Sequence, residues 1–277
     1  MKNRSLAIII AVAMAWCAPL ARSADLSSTS SELSALVAKI KDQLQHGKKT
    51  EADLAPELKE FDALIDKHKG EKTDDAAEIV FMKAMLYLQV LDKNDEGIKL
   101  VQQVKQDYPD TKAGKSADSV LAHMKQQQQA KEIQSTLVEG SQFPDFAEKD
   151  LAGNSLSVAN YKGKVVLVDF WATWCAPCVY ELPKVQKMYE KYHDKGLEII
   201  GISLDKSQDT LKTFVKDRNI PWPQFCDGKF WDNKLSQKYG IQSIPATFLL
   251  DGQGKILARD LRGDELDAAI AKALPKP

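Results

Sequence analysis

The spacing of apolar side chains divides the chain into two regions with different periodicities. From about residue 32 to residue 134, apolar side chains recur every three or four positions, which is the period of one helix face. A clear example is the stripe formed by Ile98, Val101, Val104 and Tyr108. From Phe143 onwards, runs rich in Val, Ile and Leu alternate with helical segments. The pattern predicts an all-helical domain, which we assign to residues 24–136, followed by an α/β domain at residues 137–277.

Residues that end helices divide the N-terminal region into about five helices. The predicted breaks, most of which contain Gly or Pro, are His46-Gly47, His68-Lys69-Gly70, Lys93-Asn94 and Tyr108-Pro109-Asp110. Thr73, followed by two aspartates, predicts a helix start, since a capping hydroxyl and early acids suit the exposed N–H groups. The stretch 84–124 resembles a tetratricopeptide-like hairpin, although a full repeat of about 34 residues is not visible.

Four segments of the C-terminal region have the composition of strands: 164–170, 197–204, 246–250 and 255–258. Helical segments are predicted between and after them, at 183–193, 209–217, 231–239 and 264–273. The turn Asp251-Gly252-Gln253-Gly254 predicts a hairpin between the last two strands. Strands that alternate with helices and end in a hairpin indicate a central mixed sheet flanked by helices.

Composition and charge narrow the class of protein. The 277 residues suit two domains of roughly 100–150 residues each. The chain is 44% hydrophobic, which is enough to form cores and argues against disorder along the whole chain. Its net charge of −1 lacks the basic excess of a nucleic-acid-binding protein, so we expect no nucleic-acid partner.

The first residues have the pattern of a secretory signal peptide, which we assign to residues 1–23. Lys2 and Arg4 precede an apolar run at 6–16, and Ala21-Arg22-Ser23 offers small residues where a signal peptidase reads them. The apolar run is shorter than the ~20 residues that span a bilayer, which favours cleavage over a permanent membrane anchor. We therefore expect a periplasmic or otherwise secreted protein that has lost Cys17.

The strongest chemical signal is a predicted buried strand that leads directly into Cys175-Ala176-Pro177-Cys178. A thiol at a helix start lies where free N–H groups and the helix dipole favour a negative charge, so Cys175 is the predicted nucleophile. Cys178 follows within the first turn and can attack a mixed disulfide. Pro177 fits the first turn because no backbone donor is needed there.

Two other uses of the cysteine pair fit less well. A tetrahedral zinc site needs four ligands, but there is no second CxxC, and the four histidines show no ligand spacing. A purely structural disulfide across so short a ring would constrain little of the chain. The sequence therefore predicts a redox pair that works without a metal or a cofactor. Cys226 has no evident partner, and we expect a buried, inert thiol there.

The segment from Val168 to Cys178 resembles the active site of thioredoxins, WCxPC after a Val-rich strand. It is more specifically similar to the exported TlpA/ResA branch, which includes the thioredoxins of cytochrome c maturation. Further shared features are Pro144-Asp145-Phe146, the approach from Tyr161 to Val166, and Glu181-Leu182-Pro183. The likeness covers roughly residues 140–277 and implies a thioredoxin fold. It carries no information on the helical half.

The resemblance also implies which residues support the cysteines. Trp174 and Pro177 belong to the shared motif, and Ile244-Pro245 matches the cis-proline segment beside the cysteines, unless Pro245 merely starts a strand. Asp169 matches the buried acid of thioredoxins, where many of the exported branch carry Asn. Burial would raise the pKa of Asp169 and let it take the proton of Cys178, whereas a solvated strand-end acid is the alternative. Glu181 matches an acid near the cysteines, or is an ordinary exposed glutamate.

Together these features predict an exported thiol–disulfide oxidoreductase that acts as a reductant. Ala176 and Pro177 offer no side-chain donor to a thiolate, and nearby acids oppose its charge. The expected partners are client proteins with disulfides and an upstream membrane or periplasmic electron donor. A peroxiredoxin-like peroxidase is disfavoured because Val168 and Ala172 stand where such enzymes place Pro and Thr. The helical domain is also compatible with a partner-binding module that carries an accessory redox domain.

Overall fold

The computed structural model describes residues 28–275 of the chain. The predicted signal peptide and Cys17 lie outside the described residues. The chain forms two compact units, one extending to Lys125 and the other from Gln126 onwards. Within the described residues, no helix has both the length and the apolar character needed to cross a membrane.

The first unit is all-helical, and its five described helices confirm the prediction from periodicity. They are α1 (Ser28–Gln45), α2 (Ala55–Lys67), α3 (Asp74–Gln89), α4 (Asn94–Asp107) and α5 (Lys112–Thr136), the last of which continues into the second unit. Thr73 caps α3 as predicted, since its hydroxyl accepts the N–H of Ala76 at 3.2 Å. The tetratricopeptide likeness stays a prediction.

Helices α1 to α3 enclose the main core of the first unit. Its fully buried side chains are those of Leu36, Leu54, Phe61 and Ile79. A smaller cluster joins α3, α4 and α5 through Ala84, Val101 and Ala117, where short side chains let the helices approach closely. The apolar stripe predicted on α4 is therefore the face that this helix buries.

The second unit is built on a mixed sheet, as predicted, with five strands where four were predicted. The strands have the order β5-β4-β3-β6-β7, in which β3, β4 and β5 are parallel while β6 and β7 are antiparallel to their neighbours. Their bounds are β3 (Val165–Trp171), β4 (Leu197–Ser203), β5 (Gln224–Phe225), β6 (Ala246–Leu250) and β7 (Ile256–Arg259). A separate pair, β1 (Glu148–Lys149) and β2 (Ser155–Leu156), was not predicted, and neither was β5, because two residues show no periodicity.

Four helices flank this sheet: α6 (Ala176–Tyr192), α7 (Gln208–Asp217), α8 (Lys234–Lys238) and α9 (Gly263–Ala273). The helical segment predicted at 183–193 corresponds to the C-terminal part of α6, which begins directly after its N-cap Cys175, as predicted for the CxxC, and contains Pro183 in its interior. The helix predicted at 231–239 is shorter than expected, because the side chain of Asn233 accepts two N–H groups and starts α8 there.

The core of the second unit places the cysteine pair. Strand β3 is buried along its length except for Asp169, which is half-buried. Beside it, the ring of Tyr239 stacks on Phe143 with centroids 4.5 Å apart, and Phe248 and Phe170 pack on the same group. This packing holds the carboxyl end of β3, and the cysteines that follow it, in one place.

The C-terminal end of α5 belongs to the second unit. The guanidinium of Arg259 donates to the carbonyl oxygens of Leu137 at 2.7 Å and Gln134 at 3.1 Å. Gly240 passes so close to Ala130 that a Cβ on it would meet the Ala130 carbonyl at 2.7 Å. The two compact units therefore divide inside α5, and the domain boundary expected after residue 136 stays a prediction.

Gly201, in the middle of β4, provides a test of this packing. An added Cβ would overlap the buried side chain of Gln224, whose Oε1 accepts the indole N–H of Trp171 at 2.9 Å. We expect Gly201→Ala to lower the free energy of unfolding by about 1–3 kcal/mol, measured by urea denaturation.

The matched control is Gly201→Ala in a Gln224→Ala background. There the same change should be neutral or stabilising, since Gly inside a strand costs about 0.5–1 kcal/mol relative to Ala. Equal losses in both backgrounds would contradict the proposed overlap.

Candidate active site

Cys175 and Cys178 lie at the junction between β3 and α6 and form a disulfide, with Cα atoms 5.3 Å apart. Both residues are buried. Cys175 is the N-cap of α6, and its Sγ accepts the backbone N–H of Cys178 at 3.3 Å. Pro177 lies in the first turn, where its missing N–H costs nothing. The CxxC therefore opens a helix, as predicted, and the roles of Cys175 as nucleophile and Cys178 as resolving thiol stay a prediction.

Asp169 lies two residues before the end of β3, opposite Gly201 on β4 and Thr247 on β6. Burial raises the pKa of its carboxyl group to about 7. The guanidinium of Arg262 acts against this rise, whereas the negative charge of Glu181 adds to it. A carboxyl group with a pKa near neutrality can both take and return a proton under physiological conditions.

Asp169 and Cys178 both line a small cavity of about 20 Å³. Glu181, Pro245 and Arg262 also line it. The volume is enough for about one water molecule. Cys178 lines this cavity and Cys175 does not.

Glu181 follows Cys178 by one helical turn, and its side chain is 13% exposed. Its Oε1 accepts the backbone N–H of Gly263 at 2.6 Å, and its Oε2 accepts from Lys184 Nζ at 3.2 Å. The structure therefore places Glu181 beside the cysteines and ties it to the start of α9. An exposed glutamate, the alternative reading, is not what is observed.

The Ile244–Pro245 bond is cis, as the resemblance implied. Pro245 lines the cavity, and its carbonyl oxygen accepts from Arg262 Nη2 at 2.6 Å. Ile244 packs against the core of the second unit. The segment thus lies on the same side of the site as Cys178 and Asp169.

Trp174 precedes the cysteines on the exposed side of the site, with 46% of its surface exposed. Its ring packs on Phe230 with centroids 4.9 Å apart and on Trp231 at 6.1 Å. Phe230 has φ of +56°, a left-handed conformation that bulky side chains rarely adopt. The sequence analysis placed no aromatic partners beside Trp174.

Asp205 and Arg262 are two further residues that the sequence analysis missed. Asp205 is buried after β4 and holds the loop before the cysteines, because it accepts from Thr173 Oγ1 at 2.6 Å and from Thr173 N at 3.0 Å. Its position just past a buried parallel strand, next to the end of β3, is a signal that could have found it. Arg262 carries no comparable signal.

Cys226 is buried and has no disulfide partner. Its thiol donates to the carbonyl oxygen of Asp205 at 3.3 Å, and burial raises the pKa of the thiol. Both observations agree with the inert thiol that was expected. Among residues 28–275, no group of three or more His, Cys, Asp or Glu side chains is arranged to hold a metal ion.

Comparisons with known proteins match the C-terminal half. A family model described as the AhpC/TSA family matches residues 140–259. The thiol-disulfide oxidoreductase ResA of Bacillus thuringiensis subsp. konkukian is 33% identical over 137 residues, which are 50% of this chain and 77% of that protein. The thioredoxin-like protein YneN of Bacillus subtilis is 37% identical over 121 residues, 43% of this chain and 68% of that protein.

Solved structures match the same share of the chain. The crystal structure of the thioredoxin domain of a thiol-disulfide oxidoreductase from Bacteroides vulgatus has a TM-score of 0.46 and 38% sequence identity. It covers 49% of this chain and 97% of that domain.

The raised pKa of Asp169 predicts a pH-dependent cost to stability. The unfolded carboxyl group loses its proton near pH 3.9, whereas the native group keeps it to about pH 7, so wild-type stability falls as the pH rises through this range. Asp169→Asn removes the titration, and above pH 7 the oxidised variant should be more stable than the wild type by up to about 4 kcal/mol.

Urea unfolding at a series of pH values measures this difference. Glu190→Gln, which changes an exposed carboxylate on α6, is the matched control and should follow the wild type. Parallel profiles for Asp169→Asn and the wild type would show that the carboxyl group does not titrate in this range.

Proposed function

The chain belongs to the family of ResA-type thiol–disulfide oxidoreductases, and from that premise we propose that it reduces disulfides of client proteins outside the cytoplasm. The observation that carries the proposal is the placement of Asp169 and Glu181 with Cys178 around one small cavity. This arrangement opposes a stable thiolate at the resolving cysteine and gives it a proton acceptor.

The direction of electron flow follows from how weakly the reduced form is stabilised. A strong oxidant of this fold owes its potential to a heavily stabilised thiolate. Here one backbone N–H group, that of Cys178, donates to Cys175 Sγ. Neither Ala176 nor Pro177 has a side chain that could donate a hydrogen bond to a thiolate. Two carboxyl groups lie beside Cys178. The disulfide is therefore the favoured state, and the dithiol gives up its electrons readily.

The reductive reaction proceeds in two exchanges. The Cys175 thiolate attacks one sulfur of the client disulfide, a Cys175–client bond forms, and the other client sulfur leaves as a thiolate that takes a proton from water. Cys178 then loses its proton to Asp169 through the cavity and attacks Cys175. The second client thiolate leaves, and two electrons have passed from the cysteine pair to the client.

The resulting Cys175–Cys178 disulfide needs a reductant before the next turnover. We propose that a membrane or periplasmic electron donor supplies those electrons and that the clients include proteins of cytochrome c maturation. The helical region is proposed to bind a protein partner. A peroxidase role gains no support from the site, since Val168 and Ala172 are buried apolar residues where a peroxidase carries Pro and Thr.

The roles of the two thiols predict which variant captures clients. Cys178→Ser keeps the attacking thiol but removes the resolving one, so it should accumulate mixed disulfides with clients. Cys175→Ser should capture few, because the remaining thiol lies beside two acids that oppose its thiolate. Non-reducing gels of affinity-purified variants measure the difference, and equal capture by both would reverse or abolish the assignment.

The reductant proposal predicts the potential of the cysteine pair. Equilibration with glutathione should give a value below about −220 mV, on the reducing side of the glutaredoxin range. Glu181→Gln should raise the potential, because a charge that opposes the thiolate is lost, whereas Glu190→Gln on the exposed face of α6 should not. A wild-type value near about −120 mV would make the protein an oxidant instead.

A further inference from the structure

Arg262 occupies the corner between β7 and α9 and reaches back into the active site. It is the N-cap residue of α9, and its Nη2 donates to the carbonyl oxygen of Pro245 at 2.6 Å. The same side chain lines the cavity shared by Asp169 and Cys178. One guanidinium group therefore contacts the proline segment and faces the buried acid.

The next residue ties the corner to the other acid. The N–H of Gly263 donates to Glu181 Oε1 at 2.6 Å, and Gly263 has φ of +52°, in the left-handed region that favours glycine. A Cβ at this position would lie 3.5 Å from Lys184 Nζ and 3.7 Å from Glu181 Oε1. The corner thus places the Arg262 cation at the cavity that Asp169 lines, and it donates the Gly263 N–H to Glu181.

The charges that face the cavity come from three elements. Asp169 on β3 and Glu181 on α6 carry carboxyl groups, and Arg262 at the start of α9 carries the positive charge. Lys184 pairs with the Glu181 carboxylate at 3.2 Å. Arg262 is consequently the cation that offsets the burial of Asp169.

We propose that Arg262 is a positioning residue for thiol–disulfide exchange, which fixes the Pro245 carbonyl edge and keeps Asp169 ready to accept the proton of Cys178. The inference rests on the proposed function for its client reaction, but the proton step belongs to resolution in either direction of electron flow.

The transfer of a proton from Cys178 to Asp169 depends on the positive charge of Arg262. In the mixed disulfide, the Cys178 S–H bond breaks and its proton passes to the Asp169 carboxylate. The Cys178 electron pair then forms a bond to Cys175 Sγ, and the departing thiolate takes the pair from the bond that breaks. Asp169 must be ionised to accept the proton. Because Arg262 lowers the pKa of Asp169, its loss should leave fewer molecules with an ionised carboxylate near neutral pH.

Stopped-flow reaction of the full-length reduced protein with 5,5′-dithiobis(2-nitrobenzoate) tests the proton step. The first release of thionitrobenzoate reports attack by Cys175, and the second reports resolution by Cys178. In Arg262→Gln the second phase should be slower near pH 7 by about threefold to tenfold, with its pH midpoint moved upward, where tenfold corresponds to a pKa shift of about one unit.

Two comparisons separate this effect from a general disturbance. Arg218→Gln removes an exposed cation at the end of α7 and should leave the second phase unchanged. In an Asp169→Asn background, Arg262→Gln should no longer move the midpoint, because the group that titrates is absent. A midpoint that coincides with that of Arg218→Gln would overturn the proton role.

Arg262→Lys tests the hydrogen bond from Arg262 to the Pro245 carbonyl oxygen. This variant remains a test if Arg262→Gln does not fold. Lysine keeps the charge but lacks the planar fork of donors. The second-phase midpoint should remain, whereas KM for insulin disulfides should rise about threefold or more, with kcat changed less. An unchanged KM would remove the positioning role. An oxidising wild-type potential would overturn the reductant proposal alone, since these comparisons do not depend on it.

Discussion

The site depends on the burial of strand β3, which has neighbours on both sides and delivers polar groups at its carboxyl end. The other six side chains of β3 are buried, and the half-buried Asp169 lies among them. Desolvation disfavours its charged form, which is why the pKa of Asp169 rises to about 7. An acid that titrates near neutrality is useful only beside a group that must lose a proton. The turn after β3 supplies that group in Cys178.

Neighbouring elements offset the cost of placing the Asp169 and Glu181 carboxyl groups around a small cavity. Arg262 brings a cation to the cavity, and Gly263 satisfies Glu181 with a backbone N–H. Local preferences are also broken in the segments that flank the cysteines: Phe230, which packs on Trp174, has a positive φ, and Pro183 lies inside α6. Departures of this kind concentrate at functional sites, where the surrounding packing holds them.

The sequence revealed those parts of the site that are encoded in short stretches. The Val- and Ile-rich runs predicted β3, β4, β6 and β7, and the CxxC spacing predicted the redox pair. The resemblance to thioredoxins implied the cis bond at Pro245. Strand β5 was missed because it is short. Arg262 could not be found, since its contact with Pro245 exists only once the β7–α9 corner has folded against β6.

The two thiols of the pair are chemically unequal, and the asymmetry has a structural cause. Cys175 caps α6, so its sulfur accepts an N–H and lies at the positive end of the helix dipole. Cys178 lines a cavity with two acids, where a negative charge is opposed and a proton has a defined acceptor. The first environment favours a thiolate that attacks, and the second favours a thiol that stays protonated until resolution is required. One helical turn therefore separates the two roles, and the charge balance among Asp169, Glu181 and Arg262 sets how readily the second thiol follows the first.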